Sequence, residues 1–172
     1  LCADRGIVIL EDNPYGMFRY EGEQSPSMFS LDDRGTVIYL GTYSKTLCPS
    51  LRIGFAVLPR KLGGSERATA ELMELLGQRK SYSTVNTSQV GQAIVAGVLI
   101  EESFSLSRYA EKAREYYRGN RDALLESLSV YFRDLAGQVS WNAPAGGFFL
   151  IVNLPFKFGA EEANECAAHF GA

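Results

Sequence analysis

The first apolar run of the chain, Ile7-Val8-Ile9-Leu10, is continuous rather than alternating, the pattern of a parallel strand covered on both faces. It breaks at Glu11-Asp12-Asn13-Pro14-Tyr15-Gly16, a polar cluster rich in turn formers, and a loose stretch of Ser, Gly and Glu follows from Phe18 to Gly35. Thr36-Val37-Ile38-Tyr39-Leu40-Gly41 predicts a second strand, ending in Thr42-Tyr43-Ser44-Lys45. Arg52 to Leu58 predicts a third, closed by Pro59. A parallel crossover needs about a dozen residues or more, so the short link between the second and third strands predicts an antiparallel pair.

After Pro59 the period changes from that of strands to that of helices. Ser65 can cap a helix that carries Ala68, Leu72, Leu75 and Leu76 on one face. Val90, Ala93, Ile94, Ala96, Val98 and Leu99 make a second helix apolar nearly all round, which predicts a buried one. Leu106, Tyr109, Ala113, Tyr116, Tyr117, Leu124, Leu128, Tyr131 and Leu135 then hold a 3.6-residue period over about eight turns, roughly 45 Å if straight. Beyond Gly137 the pattern returns to strands, at Gln138 to Trp141 and Gly147 to Asn153, joined by the turn Pro144-Ala145-Gly146-Gly147. A last helical pattern runs from Ala160 to Phe170. The fold class expected is α/β for about the first hundred residues, then a long helix leading into a smaller α+β piece. Leu1 to Gly6 resembles the tail of a helix, with Gly6 suited to the left-handed position after the last turn, and no signal-peptide pattern precedes it. An internal segment of a longer protein is expected.

Composition narrows the function classes. The 172 residues are 46% hydrophobic and 22% charged, which suits a globular protein rather than a disordered one. A formal net charge of −3 supplies no global basic field for nucleic acid or an anionic membrane, and no apolar run approaches the roughly 18 residues that span a bilayer. Cys2, Cys48 and Cys166 are odd in number and widely spaced, and His169 is the single histidine, so neither a disulfide framework nor a zinc site is expected. A reducing, cytoplasmic setting fits this usage.

Ligand sites in open α/β sheets lie beyond the carboxyl ends of the strands. Asp12 and Tyr15 follow the first strand, Lys45 follows the second, and Arg52 begins the returning third. A carboxylate, a phenol, an amine and a guanidinium are thus expected at one rim, the set that a phosphorylated aromatic aldehyde requires.

These residues carry a resemblance. Glu11-Asp12-Asn13-Pro14-Tyr15, followed by Thr42-Tyr43-Ser44-Lys45-Thr46-Leu47-Cys48-Pro49-Ser50-Leu51-Arg52-Ile53-Gly54-Phe55, resembles the pyridoxal 5'-phosphate (PLP) aminotransferases of fold type I, class I/II. Within them it is most similar to the subgroup of aminoadipate and kynurenine aminotransferases and the aminotransferase-like domains of MocR regulators. Pro144-Ala145-Gly146-Gly147-Phe148-Phe149 is similar to the segment that leads into that family's small domain. The resemblance implies an aspartate-aminotransferase-like fold. Residues 1–105 would be the C-terminal part of its PLP-binding large domain, and 106–172 the long connecting helix and the start of its small C-terminal domain.

The resemblance also implies roles. Lys45 forms the Schiff base with PLP; a free lysine, with a pKa of about 10.4, is a poor nucleophile, so burial and the nearby Arg52 cation are expected to free its amine. Asp12 pairs with the pyridine nitrogen and keeps it protonated, which makes the ring an electron sink. Tyr15 donates to the phenolic oxygen of PLP, while Thr42 and Arg52 hold the phosphate, the arginine through its bidentate fork. The family usually has Ser where Thr42 stands. A lone lysine in a Ser/Thr-rich turn is ordinarily just solvated, and Asp12 alone would be a turn former. The surrounding blocks set both apart. Cys48 and His169 read as packing residues, and Gly146-Gly147 as a shaper of the substrate side of the cleft.

The activity implied is transfer of an amino group between an amino acid and a 2-oxo acid, by a cytoplasmic homodimer. The family's phosphate loop, its ring-stacking aromatic and its asparagine near the phenolic oxygen would lie upstream, and its substrate-carboxylate arginine downstream, so the segment alone is expected to be inactive. Three alternatives remain open at this point: a PLP enzyme of elimination or replacement, the effector domain of a MocR-type regulator, and a pseudoenzyme.

Overall fold

The computed structural model describes residues 1–171. A three-stranded sheet of order β1-β2-β3 forms its first layer, from β1 (Ile9–Asp12), β2 (Val37–Thr42) and β3 (Gly54–Val57). β1 and β2 run parallel, with Ile9 opposite Val37 and Asp12 opposite Leu40. β2 and β3 run antiparallel, as their short link predicts, with Tyr39 opposite Val57 and Thr42 opposite Gly54. A short helix, α1 (Met28–Leu31), precedes β2; α2 (Glu66–Thr84), α3 (Gln89–Glu101) and α4 (Ser107–Tyr131) follow β3. A separate antiparallel pair, β4 (Ser140–Trp141) and β5 (Val152–Asn153), and a helix α5 (Ala160–Phe170) complete the order.

β1 lies two residues later than the apolar run suggests, because Glu11 belongs to the strand and is buried. Burying a carboxylate is costly unless it is hydrogen-bonded. Glu11 accepts bonds from the backbone N–H groups of Met28 (3.0 Å) and Phe29 (2.8 Å), which also pins the start of α1 to the sheet. The start of β2 is fixed by Asp32, whose carboxylate accepts from the N–H groups of Arg34, Thr36 and Val37. Burial opposes its charge, but these bonds prevail and hold its carboxyl below the usual aspartate range.

Ser65 caps α2 as expected, its hydroxyl accepting from the N–H of Ala68 at 3.1 Å. One turn on, the buried Thr69 hydroxyl donates to the Pro59 carbonyl (3.0 Å) and accepts from Leu62 N–H (2.9 Å), tying α2 to the exit of β3. Helix α3 is a correction. Its all-round apolar surface predicts burial, yet only Gly91 and Val95 are buried, while Val90, Ile94 and Ile100 are exposed. One face meets the segment just before β3, where Gly91 lets Ile53 approach closely, and most of the remaining surface is exposed among the described residues.

α4 is also shorter than its pattern. It spans 25 residues, about 37 Å, and the apolar period continues through a 3₁₀ turn, Arg133–Leu135, rather than through helix. β4 and β5 are two residues each, the remainder of the two expected strands being irregular. The core comprises Val37, Ile38, Ile53, Val95, Leu106, Ala110 and Val139, together with a fully buried Phe18.

Candidate active site

The chain leaves β2 through a loop that closes on itself. Tyr43 N–H donates to the Ile53 carbonyl (2.9 Å), and the N–H groups of Leu47 and Cys48 both donate back to the Tyr43 carbonyl. The Thr42 hydroxyl donates to the same Ile53 carbonyl (3.2 Å) and accepts from Ser44 N–H (3.1 Å), so it staples the loop's two ends. This turn buries Ser44 and leaves the adjoining Lys45 exposed. The expected burial of Lys45 is therefore not supplied by the described residues.

Arg52 ends the 3₁₀ turn Pro49–Leu51 in a left-handed conformation, φ 53° and ψ 36°. In this region the Cβ crowds the following carbonyl, at a cost of about 1–2 kcal/mol for a non-glycine residue. Such strain is found where a side chain must be aimed. Asp12 ends β1, with Leu40 beside it in register, and Asn13 N–H continues the ladder to the Leu40 carbonyl (3.0 Å). All five sequence candidates thus lie at or just beyond the carboxyl ends of β1 and β2 or at the start of the return toward β3.

Tyr15 and Lys45 are neighbours in space. The Nζ of Lys45 lies 6.0 Å from the Tyr15 ring centroid, within reach of a cation–π attraction. Beneath it the ring packs on Phe148 (centroids 4.9 Å) and Phe149 (5.6 Å). Phe148 also meets Phe18 at 4.7 Å and Tyr117 at 4.3 Å, so an aromatic stack from three separate segments supports the Lys45 loop. Lys45 itself faces a cleft of about 780 Å³ walled by Tyr109, Lys112 and Tyr117 of α4 and by Phe148. Arg108, also on that wall, is held by Glu102 through two bonds of 3.0 and 2.7 Å. Asp12 and Tyr15 line a different hollow of about 430 Å³, and Thr42 a third of about 310 Å³. The described residues bring the set to one rim without enclosing it in one cavity.

The turn that presents Phe148 needs both its glycines. A Cβ on Gly146 would stand 2.5 Å from the Phe18 carbonyl oxygen, and Gly147 has φ +81°, which favours glycine. That closeness lets Gly147 N–H donate to Phe18 (2.8 Å) and Tyr20 N–H donate to Ala145 (2.7 Å). The Tyr20 hydroxyl donates to the Gly147 carbonyl. Burial pushes the Tyr20 phenol up, Arg121 opposes and Tyr117 adds to the rise, so Tyr20 keeps its donor proton at neutral pH. Sequence pattern points to Gly146-Gly147 but not to Tyr20, Phe18 or Arg121, whose partners come from remote segments.

The sequence profile described as aminotransferase class I and II matches residues 1–168. The chain belongs to this family. A (S)-3,5-dihydroxyphenylglycine transaminase of Amycolatopsis orientalis is 39% identical over 88% of this chain and 33% of its own length. An uncharacterised HTH-type transcriptional regulator of Bacillus subtilis is 32% identical over 99% of this chain and 33% of its own length. Among solved structures, the α-aminoadipate aminotransferase of Thermus thermophilus, complexed with N-(5'-phosphopyridoxyl)-L-leucine, superposes with a TM-score of 0.78. It is 30% identical, and the match covers 97% of this chain and 40% of that one. The chain therefore spans about a third of the length of the curated relatives it matches. The aspartate-aminotransferase-like fold expected from the sequence is thereby established.

Proposed function

We propose that the intact protein is a PLP-dependent aminotransferase, exchanging an amino group between an amino acid and a 2-oxo acid. The observation that carries this reading is the placement of Lys45 at the loop tip over Tyr15, with Asp12, Thr42 and Arg52 on the same rim. The donor set suits the cofactor: an amine for its aldehyde, a carboxylate for its ring nitrogen, a phenol for its oxygen, and a guanidinium and a hydroxyl for its phosphate. Bound there, PLP would supply the electron sink that lets the substrate's Cα–H bond break.

The chain's own groups do the rest. The Lys45 amine would condense with the cofactor's aldehyde with loss of water, and, once the substrate's own amine has displaced it, would be free to carry the proton that leaves Cα. The Asp12 carboxylate would hold the proton on the ring nitrogen. Tyr15 would donate from its phenol to the cofactor's oxygen, and its ring is braced by Phe148. Arg52 would bind the phosphate through its guanidinium, whose fork can offer two parallel bonds to such an anion. The Thr42 hydroxyl gives its one proton to Ile53, so serving a phosphate requires that bond to be surrendered or the oxygen to act through the loop it staples.

In this reading residues 1–105 belong to the large, cofactor-binding domain and 106–172 to the connecting helix and the start of the small domain. The change from the β1-β2-β3 sheet to the separate β4-β5 pair supports the division. The parent is read as a cytoplasmic homodimer whose cleft lies between subunits. Monomeric sedimentation of an active parent contradicts the dimer.

The likeness to the HTH-type regulator favours one second reading, the same domain used as a ligand sensor behind a DNA-binding segment. Incubating the intact protein with amino acids and 2-oxo acids separates the readings. Paired appearance of a new oxo acid and a new amino acid supports transfer. Ammonia release, or cofactor binding without turnover, supports elimination or the sensor.

A further inference from the structure

The guanidinium of Arg121 is among the most completely used groups in the chain, yet it lies away from the rim. Its side chain is 10% exposed, whereas its partners Glu21 and Asp122 are 61% and 56% exposed. Nη1 donates to the Pro144 carbonyl at 2.8 Å. Nη2 donates to Glu21 at 2.5 Å and to Asp122 at 2.6 Å, and Nε donates to Asp122 at 2.8 Å. The Arg121 Cζ lies over the Tyr20 ring, 5.5 Å from the centroid. One side chain thus joins α4, the segment 20–21 after the first turn, and the turn 144–147.

Arg121 is the side chain that ties this turn to α4 by a hydrogen bond. Pro144, Ala145, Gly146 and Gly147 bring few side-chain atoms to pack, and the turn is fastened to segment 18–21 by backbone bonds and the Tyr20 hydroxyl. Phe148 follows directly, and its ring is the floor under Tyr15, over which Lys45 stands. A loosened turn would let Phe148 shift, and Tyr15 would shift with it.

We propose that Arg121 is a positioning residue: by clamping the Pro144–Gly147 turn to Glu21 and Tyr20 it fixes Phe148, and through Phe148 the distance between the Tyr15 phenol and Lys45. The inference rests on the cofactor reading of Lys45 and Tyr15. A lysine at this position could keep one ion pair but not fork between Pro144 and Glu21 while stacking on Tyr20.

The test uses the intact protein loaded with PLP, and reads the pH at which its visible absorbance band titrates rather than its turnover. Arg121→Met is expected to move that midpoint by about half a pH unit or more, since the charged and hydrogen-bonding neighbours of the linkage are displaced. Arg121→Lys falls between it and wild type. In the cofactor-free protein, amide exchange at Tyr20 and Gly147 should be about tenfold faster in Arg121→Met, a local opening without global unfolding. Tyr20→Phe keeps the ring under the guanidinium but removes the bond to Gly147, so it should move the midpoint in the same direction by less. If Arg121→Met does not fold, Arg121→Lys and Tyr20→Phe decide the matter, and an unchanged midpoint in both overturns the proposal. A loss of thermal stability in Arg121→Met with the midpoint unmoved makes Arg121 purely structural and overturns it too. A wild-type protein with no visible band overturns the cofactor reading and this inference with it, whereas a wild-type band whose midpoint Arg121→Met leaves in place overturns this inference alone.

Discussion

Tyr15 and Phe148 pack ring on ring, 4.9 Å between centroids and tilted by 56°, although they come from opposite ends of the chain. Lys45 stands above Tyr15, and the Gly146-Gly147 turn stands behind Phe148. This contact joins the strand-end chemistry to the segment that leads into β5. Substitutions on its two sides have separable outcomes.

Asp12→Asn removes the charge proposed to hold the ring-nitrogen proton while keeping the shape of the side chain. Turnover of the intact protein is expected to fall by about two orders of magnitude, near 2.7 kcal/mol, with cofactor retention little altered. Steady-state kinetics beside dialysis measure the two separately. Unchanged turnover would make Asp12 only the last residue of β1.

Arg52 and Thr42 should separate grip from strain. Arg52→Lys loses the bidentate fork, so PLP should dialyse away faster than from wild type. Arg52→Gly should lose it faster still, yet raise the melting temperature of the cofactor-free protein by relieving the positive φ, a gain of up to about 1 kcal/mol. Thr42→Ser should retain PLP better than Thr42→Ala, because the hydroxyl staples the loop and is proposed to serve the phosphate. Equal retention by Arg52→Lys, Thr42→Ala and wild type places the phosphate elsewhere.

Gly146→Ala puts a methyl 2.5 Å from one backbone oxygen and 2.8 Å from the Arg19 Cα, atoms that cannot swing aside. A loss of about 1–3 kcal/mol is expected in denaturant unfolding. Gly119→Ala is the control: it sits inside α4 facing open space and should stabilise by roughly 1 kcal/mol at most. Similar behaviour of the two variants contradicts the close approach of the turn to Phe18.

Sequence pattern misleads wherever a remote partner changes the cost of burying a group. Glu11 reads as the start of a turn because the N–H groups of Met28 and Phe29 that satisfy it lie in another element. Helix α3 reads as buried because composition reports what a helix needs, while its neighbours within this chain cover one face only. The Lys45 loop is legible because its residues are contiguous and their order is distinctive. Arg121 is not, since its surroundings come from α4, residues 20–21 and Pro144, which no local pattern joins.

The cleft wall carries a pH signature. The hydrogen bonds from Arg108 hold the Glu102 carboxyl below the usual glutamate range against the opposing effect of burial, and the charge of Arg108 adds to the lowering. A carboxyl lowered in the folded state stabilises fully above its unfolded pKa, about 4.3, and loses that contribution as pH falls through the lower folded value. Melting temperatures of wild type and Glu102→Gln should therefore differ by a constant amount from pH 7 down to about 5, and the gap should shrink progressively as pH falls below the unfolded value of about 4.3. Raised salt should narrow the gap at neutral pH, because Arg108 is largely exposed. A gap that persists unchanged at pH 3 contradicts the pairing.

The central claim is that Lys45 carries the cofactor, and borohydride reduction followed by peptide mapping tests it most directly. The intact protein should be yellow, lose that colour on reduction, and yield one pyridoxyl-modified peptide, the one containing Lys45. Lys45→Ala should bind PLP only reversibly and yield none. A Lys45→Ala protein that still holds PLP through a bond borohydride can fix would contradict the account.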